Sequence, residues 1–379
     1  MRWGTLGGTA TKLICNRIYP RNRPMTMVLQ RSANITLHSS SSRLVRSLRQ
    51  LCRCNNRRRW ASSCTTTIKN ESSAQLVDSL LDHTAFLMRT PDDSSTLHHT
   101  VAFSGGVDSS LVAYLVHTIA ASAAGTTTTT TCRAILGVSP AVSQEQIAAA
   151  QHMAEHIGIP LQRISTNEGD DPMYVANAGQ ACFACKTHLY RTMAAIQQHN
   201  NTESSGQKNR LYNGTNADDR ADTTRSGLRA AADYNVLSPL EHVSKDQVRQ
   251  AAHAVQLPNA YTAAAPCLRS RLQWGVPATQ AHLQSVERME RFVRKQLGVS
   301  FASAANVRVR VLAGQRICVQ VDDVTQLEAL YAVHREEWDN LFLTQEGFRS
   351  LELRSFESGS VASFGRKVKL QRHVAVAER

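Results

Sequence analysis

From about residue 97, the chain alternates short apolar runs with longer segments whose apolar residues recur every three or four positions. The short runs predict strands and the longer segments predict amphipathic helices. We predict strands at residues 100–103, 133–138, 161–165, 211–214 and 235–237, and helices at 73–87, 109–123, 143–157, 182–199 and 245–255. This alternation predicts an α/β fold, a parallel sheet flanked by helices, with ligands at the carboxyl ends of the strands.

The pattern changes after Pro266. A long amphipathic helix at residues 279–297 precedes two strands at 307–312 and 316–321, and another helix begins at Thr325. These elements predict a smaller C-terminal α+β domain. We therefore divide the chain into a leader (1–70), an α/β domain (71–265), a C-terminal domain (266–361) and a disordered tail (362–379). Polar runs at 126–131 and 200–209 predict solvated loops.

The formal net charge of +13 is concentrated in the leader, because no acidic residue precedes Glu71 whereas 14 of the 43 basic residues do. The 29 basic and 30 acidic residues that follow almost balance, which argues against a nucleic-acid partner. An acid-free segment rich in Arg and Ser, with an amphipathic stretch at 42–51, is typical of a transit peptide. We expect mitochondrial targeting with cleavage near residues 60–70, and otherwise a cytoplasmic location. The alternative is a basic arm that binds nucleic acid.

No stretch approaches the roughly 18–20 apolar residues of a membrane span, so we predict no membrane partner. The nine cysteines are odd in number and unevenly spaced, and no secretory signal is visible. These features argue against a disulfide framework. They leave Cys182, Cys185 and Cys267 available for chemistry, whereas Cys132 and Cys318 on predicted strands are interpreted as core residues.

The run SGGVDSS at residues 104–110 lies between the first predicted strand and the next helix. Its glycines allow a tight turn and a close approach of backbone N–H groups to a ligand. The helix start adds unpaired N–H groups and a positive dipole end, so the run predicts a phosphate or pyrophosphate site. Asp108 would meet phosphate through Mg²⁺, and Ser104, Ser109 and Ser110 offer hydroxyl groups. The alternative is a simple turn with a helix cap.

Three further segments carry candidate chemistry. Cys182 and Cys185 lie three residues apart at a helix start, and Cys267 lies in the run PCLRSR at 266–271. The run NGTNADD at 213–219 follows a strand, so we expect it beside the phosphate loop. Arg308 and Arg310 alternate on one strand and face the same side, an arrangement suited to a phosphate or carboxylate group.

The order SGGVDSS, CxxCK, NGTNADD, SPL, Ser244-Lys245, CLxSR and RVR resembles the LarE family over about residues 75–361. Its members are ATP-dependent sulfur transferases of nickel-pincer cofactor synthesis, within the PP-loop ATPase superfamily. The resemblance implies a PP-loop, HUP-like ATP-binding domain. It also implies that ATP adenylylates a carboxylate of a pyridinium dicarboxylate mononucleotide with release of pyrophosphate. Sulfur delivered through Cys267 then gives a thiocarboxylate.

The resemblance assigns roles to individual residues. Candidates for binding ATP and Mg²⁺ are Ser104, Gly105, Gly106, Asp108, Ser109, Gly214, Thr215 and Asp218. Candidates for binding the substrate are Arg271, Glu290, Arg308 and Arg310, with the last two holding the mononucleotide phosphate. Asp108 and Cys267 are the candidate catalytic residues, and Arg269 or Arg271 would favour the Cys267 thiolate. Glu290 is alternatively a solvated helix charge.

Three interpretations of the thiols stay open. As in three-cysteine family members, Cys182, Cys185 and Cys267 would hold a [4Fe-4S] cluster whose open iron binds a replaceable sulfide. Alternatively, Cys267 alone loses its sulfur and becomes dehydroalanine, or the CxxC pair binds zinc. The expected partners are a small nucleotide, a sulfur source and a second copy in a homo-oligomer. The alternative functions are a PP-loop tRNA thiolase and an amide-forming ligase of the NAD or GMP synthetase type.

Overall fold

Four parallel strands form the first sheet. They are β1 (Leu97–Ala102), β2 (Thr130–Val138), β3 (Leu161–Ser165) and β4 (Lys208–Tyr212), and they pair in the order β3-β2-β1-β4. The computed structural model describes residues 72–89, 97–123, 130–199, 208–222, 225–357 and 374–378, all within one compact unit of residues 56–379. The predicted leader, and most of both predicted solvated loops, lie outside the described residues.

The predicted fifth strand is reduced to one parallel bridge between Leu237 and Tyr212. The Leu237 N–H donates to Leu211, and its carbonyl accepts from the N–H of Asn213. Pro239 follows closely, and proline has no N–H with which to continue a ladder. The segment therefore contributes one bridge at the edge of the sheet instead of a full strand.

Capped helices accompany these strands. They are α1 (Ser73–Met88), α2 (Val107–Ser122), α3 (Gln144–Ile157), α4 (Pro172–Val175), α5 (Ala181–His199), α6 (Ala217–Ala221), α7 (Gly227–Asp233) and α8 (Lys245–Ala254). Ser143 caps α3, and Ser244 with Gln247 forms a capping box at α8. Gly158 ends α3 with a φ of 81°, a conformation that favours glycine. The α/β fold with a parallel sheet flanked by helices is confirmed.

A second, mixed sheet follows. Its strands are β5 (Val307–Leu312), β6 (Arg316–Val321), β7 (Ser350–Ser355) and β8 (Val374–Glu378), paired in the order β5-β6-β7-β8. The β5/β6 and β7/β8 pairs are antiparallel, whereas β6/β7 is parallel. The long helix α9 (Gln280–Leu297) buries Val286, Met289 and Val293 in the same apolar core as the inner face of β5. The smaller α+β part predicted after Pro266 is confirmed.

The described end of the chain differs from the predicted disordered tail. Residues 374–378 form β8 and pair with β7. Their sequence, VAVAE, contains β-branched residues that favour strands, but the run is too short to stand out from the basic residues before it.

No helix in the described part of the chain is long and apolar enough to cross a membrane.

The segment at residues 266–271 connects the two sheets. The Leu268 N–H donates to the carbonyl of Ala141, just beyond the carboxyl end of β2, at 2.8 Å. Leu272 then forms a parallel bridge with Val311 of β5. Because the carboxyl ends of β1 and β2 lie side by side in a parallel sheet, these contacts bring Cys267 to the edge of the sheet that carries the phosphate loop.

Candidate functional site

The phosphate loop, residues 104–110, joins the carboxyl end of β1 to the start of α2. Gly105 has a φ of 73°, and a Cβ there would lie 2.6 Å from the Cα of Ala150 on α3, so glycine is required. Gly106 is the N-cap of α2 and has no side chain to compete for the first N–H groups of the helix. These N–H groups and the helix dipole favour an anion.

Internal hydrogen bonds brace this loop. The Ser109 hydroxyl donates to the Gly106 carbonyl at 3.0 Å and accepts the Ser104 N–H at 3.2 Å. The Asn259 side-chain amide donates to the Gly105 carbonyl at 2.8 Å and to the Ser110 hydroxyl at 3.0 Å. Ser110 is fully buried, so it supports the loop, whereas Ser104 is exposed and available to a ligand.

Asp108 is held by two side chains from other strand ends. Its Oδ1 accepts from the Asn216 amide at 2.9 Å, and its Oδ2 pairs with the Lys245 ammonium. Gly214 permits this convergence, because a Cβ there would lie 2.8 Å from the Asp108 carbonyl carbon and the Ser109 nitrogen. The carboxylate remains partly exposed beside the start of α2. It therefore fits the predicted Mg²⁺ ligand, since carboxylate oxygens suit this ion.

The other predicted residues of the NGTNADD run make hydrogen bonds within the protein. The Thr215 N–H donates to the Asn213 amide oxygen at 3.1 Å. Asp218 accepts the Lys245 N–H at 2.9 Å and so helps to satisfy the start of α8. In this structure Asp218 orients Lys245, which in turn contacts Asp108.

The three predicted thiols come together from two segments. Cys182 and Cys185 lie in the first turns of α5, and Cys267 is the N-cap of a short 3₁₀ turn, Leu268–Arg271. The Arg269 guanidinium donates to Cys182 Sγ at 2.9 Å and lies close enough to Cys267 to interact with it electrostatically. Burial opposes the charge of Arg269, but the nearby Cys267 and Cys182 hold its pKa above the ordinary value. Arg269 is therefore the cation that would stabilise thiolates here.

Two buried polar side chains face this thiol group, and the sequence analysis did not identify either. Glu168 Oε1 lies 3.8 Å from Cys185 Sγ, while its Oε2 is buried with no hydrogen bond from any described residue. The Tyr174 hydroxyl is also buried and unpartnered within the described part of the chain. Burial, Glu168 and Cys267 raise the pKa of Cys185 to about 12. Buried polar atoms normally have partners, so these two atoms are available to hydrogen-bond to a bound group.

The donor set fits an iron–sulfur cluster. Such clusters are ligated by cysteine thiolates, and the three thiols here share one neighbourhood with Arg269. Hydrogen-bond donors and positive charge near the sulfurs stabilise the anionic cluster. The Tyr174 hydroxyl and the Arg269 guanidinium supply both. The same donor set leaves the sacrificial use of Cys267 chemically possible.

A buried arginine cluster, formed by Arg271, Arg308 and Arg310 around Glu290, lies on the other side of the 266–271 segment. Arg271 binds Glu290 through two hydrogen bonds of 2.8 and 3.2 Å. Glu290 also accepts the Val309 N–H at 3.1 Å. Arg308 donates to backbone carbonyls, and Arg310 donates to the side-chain amide of Gln320. Only 5% of Glu290 is exposed, so the alternative interpretation of Glu290 as a solvated helix charge is wrong.

The arginine cluster carries an excess of positive charge. Burial and the neighbouring Arg271 lower the pKa of both Arg308 and Arg310 to about 10. These two residues still carry a charge at neutral pH, and Glu290 neutralises only one of the three guanidinium groups. Buried charges are costly unless they are paired, so the cluster favours an incoming phosphate or carboxylate.

The structure thus brings the predicted residues into three groups, the phosphate loop with Asp108, the thiols and the arginine cluster, and the 266–271 segment contributes to the last two. Asn259, Glu168 and Tyr174 were not predicted from the sequence, and Asn216 and Lys245 were predicted only as parts of motifs. The Ser244-Lys245 start of α8 was a usable signal for Lys245. Glu168 and Tyr174 lie in short irregular segments without periodicity, so no sequence pattern indicated them.

Comparison with known proteins gives three findings. The family model described as the tRNA methyl transferase HUP domain matches residues 98–170. The uncharacterized protein slr1717 of Synechocystis sp. is 33% identical over 258 residues, which is 67% of this chain and 90% of that protein. The pyridinium-3,5-bisthiocarboxylic acid mononucleotide synthase of Lactiplantibacillus plantarum is 26% identical over 197 residues, 52% of this chain and 66% of that enzyme.

Among solved structures, the U34-tRNA thiolase NcsA from Methanococcus maripaludis with its [4Fe-4S] cluster is similar at 14% identity and a TM-score of 0.38. The match covers 60% of this chain and 75% of that chain.

Proposed function

This chain belongs to the LarE family of PP-loop ATPases, and we propose that it is an ATP-dependent sulfur transferase acting on a pyridinium dicarboxylate mononucleotide. The proposed product is a thiocarboxylate, as in nickel-pincer cofactor synthesis. One observation carries the proposal: the 266–271 segment contributes Cys267 to the thiol group and Arg271 to the arginine cluster. Sulfur chemistry and anion binding would thus adjoin a phosphate loop.

The first proposed step activates the carboxylate. A carboxylate oxygen of the substrate attacks the α-phosphorus of ATP, the bond to the β-phosphate oxygen breaks, and pyrophosphate leaves. The first N–H groups of α2 would bind pyrophosphate, and Lys245 would add a positive charge beside them. Mg²⁺, held by Asp108, would neutralise charge on the phosphates.

The arginine cluster would hold the substrate during this step. Its excess positive charge suits the phosphate of the mononucleotide, and planar guanidinium groups match phosphate and carboxylate oxygens. Arg271 cannot move freely, because Glu290 binds it at two points and the Pro266 and Cys267 carbonyls accept from its third nitrogen. A substrate bound here would therefore be fixed relative to Cys267.

The second proposed step transfers sulfur. A sulfur nucleophile attacks the carbonyl carbon of the acyl-adenylate, the carbon–oxygen bond to AMP breaks, and the thiocarboxylate forms. Arg269 would favour the anionic form of sulfur beside Cys182 and Cys267. Cys182, Cys185 and Cys267 would hold a [4Fe-4S] cluster, which supplies a replaceable sulfide when bound. In the alternative, the Cβ–Sγ bond of Cys267 breaks and leaves dehydroalanine.

The test uses the full chain purified without oxygen. We expect about four irons and matching sulfide per chain with a broad absorption near roughly 400 nm. Cys182→Ser, Cys185→Ser and Cys267→Ser should each remove this signal. Cys318→Ser is the matched control, since Cys318 is buried in the second sheet and should leave the iron content unchanged.

Activity assays separate the two proposed steps. Cys267→Ser should still release pyrophosphate from ATP and substrate but form no thiocarboxylate. An iron-free, active protein whose Cys267 loses its sulfur during turnover would replace the cluster with the sacrificial route. Thiolation of tRNA without any thiocarboxylate product would overturn the proposed substrate in favour of a tRNA thiolase.

We also propose that the acid-free segment before Glu71 directs the protein to mitochondria. A reporter fused to residues 1–70 should accumulate in that organelle, and cytosolic retention would refute the proposal.

A homo-oligomer is proposed as the assembled form, and sedimentation of the full chain would test it. A single monomeric species at micromolar concentration would refute it.

A further inference from the structure

A trio of metal-binding side chains lies apart from the thiols, on the first helix and the turn before α8. His83 belongs to α1, and Glu241 and His242 are adjacent in the turn. One ligand atom from each lies within 4.8 Å of the other two. We propose that this His₂Glu trio, His83, Glu241 and His242, binds a divalent transition-metal ion of the zinc class.

His83 carries the strongest evidence for an incoming ligand. Its Nε2 is buried and has no hydrogen-bond partner among the described residues. A buried nitrogen without a partner loses the hydrogen bond that water would give it. The imidazole rings of His83 and His242 meet edge to face with centroids 5.7 Å apart. A metal ion bound at Nε2 would satisfy this orphaned nitrogen.

Glu241 is oriented by a neighbour in the way that metal-ligating carboxylates usually are. Its Oε2 pairs with Arg220, and its Oε1 lies 3.5 Å from Nε2 of His242. The arginine therefore fixes the carboxylate and leaves the second oxygen beside His242. A cation placed there would replace the long His242–Glu241 contact with two metal–ligand bonds.

The chemistry of the donors selects the ion. Two imidazoles and a carboxylate suit Zn²⁺ and its transition-metal neighbours better than Mg²⁺ or Ca²⁺, which prefer oxygen ligands. Three protein ligands leave one position of a tetrahedral ion for water. His242 is exposed, so solvent reaches that position.

The position of the trio suggests its effect. The turn containing Glu241 and His242 leads directly into α8, whose first residue, Lys245, contacts Asp108. A metal ion there would fasten α1 to this turn. Bound metal should therefore raise the melting temperature of the protein, and this rise should not depend on the thiols.

Co²⁺ is the probe, and the full chain carrying Cys182→Ser, Cys185→Ser and Cys267→Ser is the background, so that these three thiols cannot bind it. We expect one Co²⁺ per chain, visible d–d absorption and no sulfur-to-cobalt charge-transfer band. His83→Gln and His242→Gln should each weaken binding by at least about tenfold. His152→Gln is the matched control, because His152 is a surface histidine 3.7 Å from a glutamate and belongs to no metal-binding group among the described residues.

Absence of Co²⁺ binding in this background would overturn the proposal. So would binding that persists unchanged in both His83→Gln and His242→Gln. His242 is exposed, so its variant should fold even if the His83 variant does not. Arg220→Gln adds a further test: it leaves all three ligands but removes the side chain that orients Glu241, so Co²⁺ binding should weaken by about 10–100-fold. These results do not depend on sulfur transfer, so failure of the proposed function would leave this test intact.

Discussion

The change Glu290→Gln tests how the arginine cluster is held together. Gln keeps the size of the side chain and can still accept the Val309 N–H, but it removes the charge that Arg271 binds at two points. Removing one partner of a buried ion pair typically costs about 3–5 kcal/mol. At roughly 2–4 °C per kcal/mol for a domain of this size, the melting temperature should fall by roughly 6–20 °C.

The pH dependence of this loss follows from the pKa of Glu290. Burial disfavours its charge, but Arg271, Arg308 and the Val309 N–H hold the pKa below the ordinary value of 4.5. The unfolded chain therefore binds a proton at higher pH than the folded protein does. The charge stabilises the fold fully above about pH 4.5, and this stabilisation is lost as the pH falls through the lowered pKa. The difference between wild type and Glu290→Gln should shrink in acid.

Thermal unfolding followed by circular dichroism measures the fall in melting temperature. Urea unfolding at pH 7 and in acid measures how the loss of unfolding free energy changes with pH. Inorganic phosphate should restore more stability to Glu290→Gln than to wild type, because the variant cluster carries one more unneutralised positive charge. Asp222→Asn is the control, since its partner Arg225 is exposed and such pairs contribute roughly 0–1 kcal/mol. A Glu290→Gln variant no less stable than this control, or a loss that does not change with pH, would refute the reasoning.

Three further predictions address other parts of the molecule. Lys245→Met removes the cation that contacts Asp108, so the rate of pyrophosphate release should fall on the order of 100-fold; an unchanged rate would exclude Lys245 from the phosphate site. Glu168→Gln removes a charge that raises the pKa of Cys185, so Cys185 should be alkylated faster at pH 8 in the metal-free variant than in metal-free wild type. Peptide mass spectrometry measures this rate, and equal rates would contradict the role of Glu168. Burial lowers the pKa of His99 to about 4, so wild type should lose about 3 kcal/mol relative to His99→Gln between pH 6.5 and 4; parallel stability curves would refute that value.

The elements with a clear period were predictable from the sequence. The predicted bounds of β3, β5 and β6 match the observed strands, because apolar residues recur through each of these short segments. The segment at residues 235–237 looks equally apolar but makes only one bridge. A local pattern does not reveal how many partners remain at the edge of a sheet.

The composition of the site was less predictable than its position. The rule that ligands bind at carboxyl strand ends correctly grouped Asp108 with the NGTNADD run. It could not distinguish a ligand contact from a contact within the protein. Gly214 and Asp218 illustrate this, because the first permits close packing on the start of α2 and the second orients Lys245. Such roles depend on distances between segments that are far apart in the sequence, 27 residues for Asp218 and Lys245.

The 266–271 segment shows why the sequence left Arg269 and Arg271 as equal candidates for the thiolate partner. On a strand, residues two apart face the same side, and both arginines would then meet Cys267. The segment instead forms a 3₁₀ turn, in which side chains two residues apart diverge by about 120°. Arg269 therefore reaches the thiols and Arg271 reaches Glu290. One short turn thus supplies a cation to the thiols and another to the arginine cluster, and it sets the distance between these two groups.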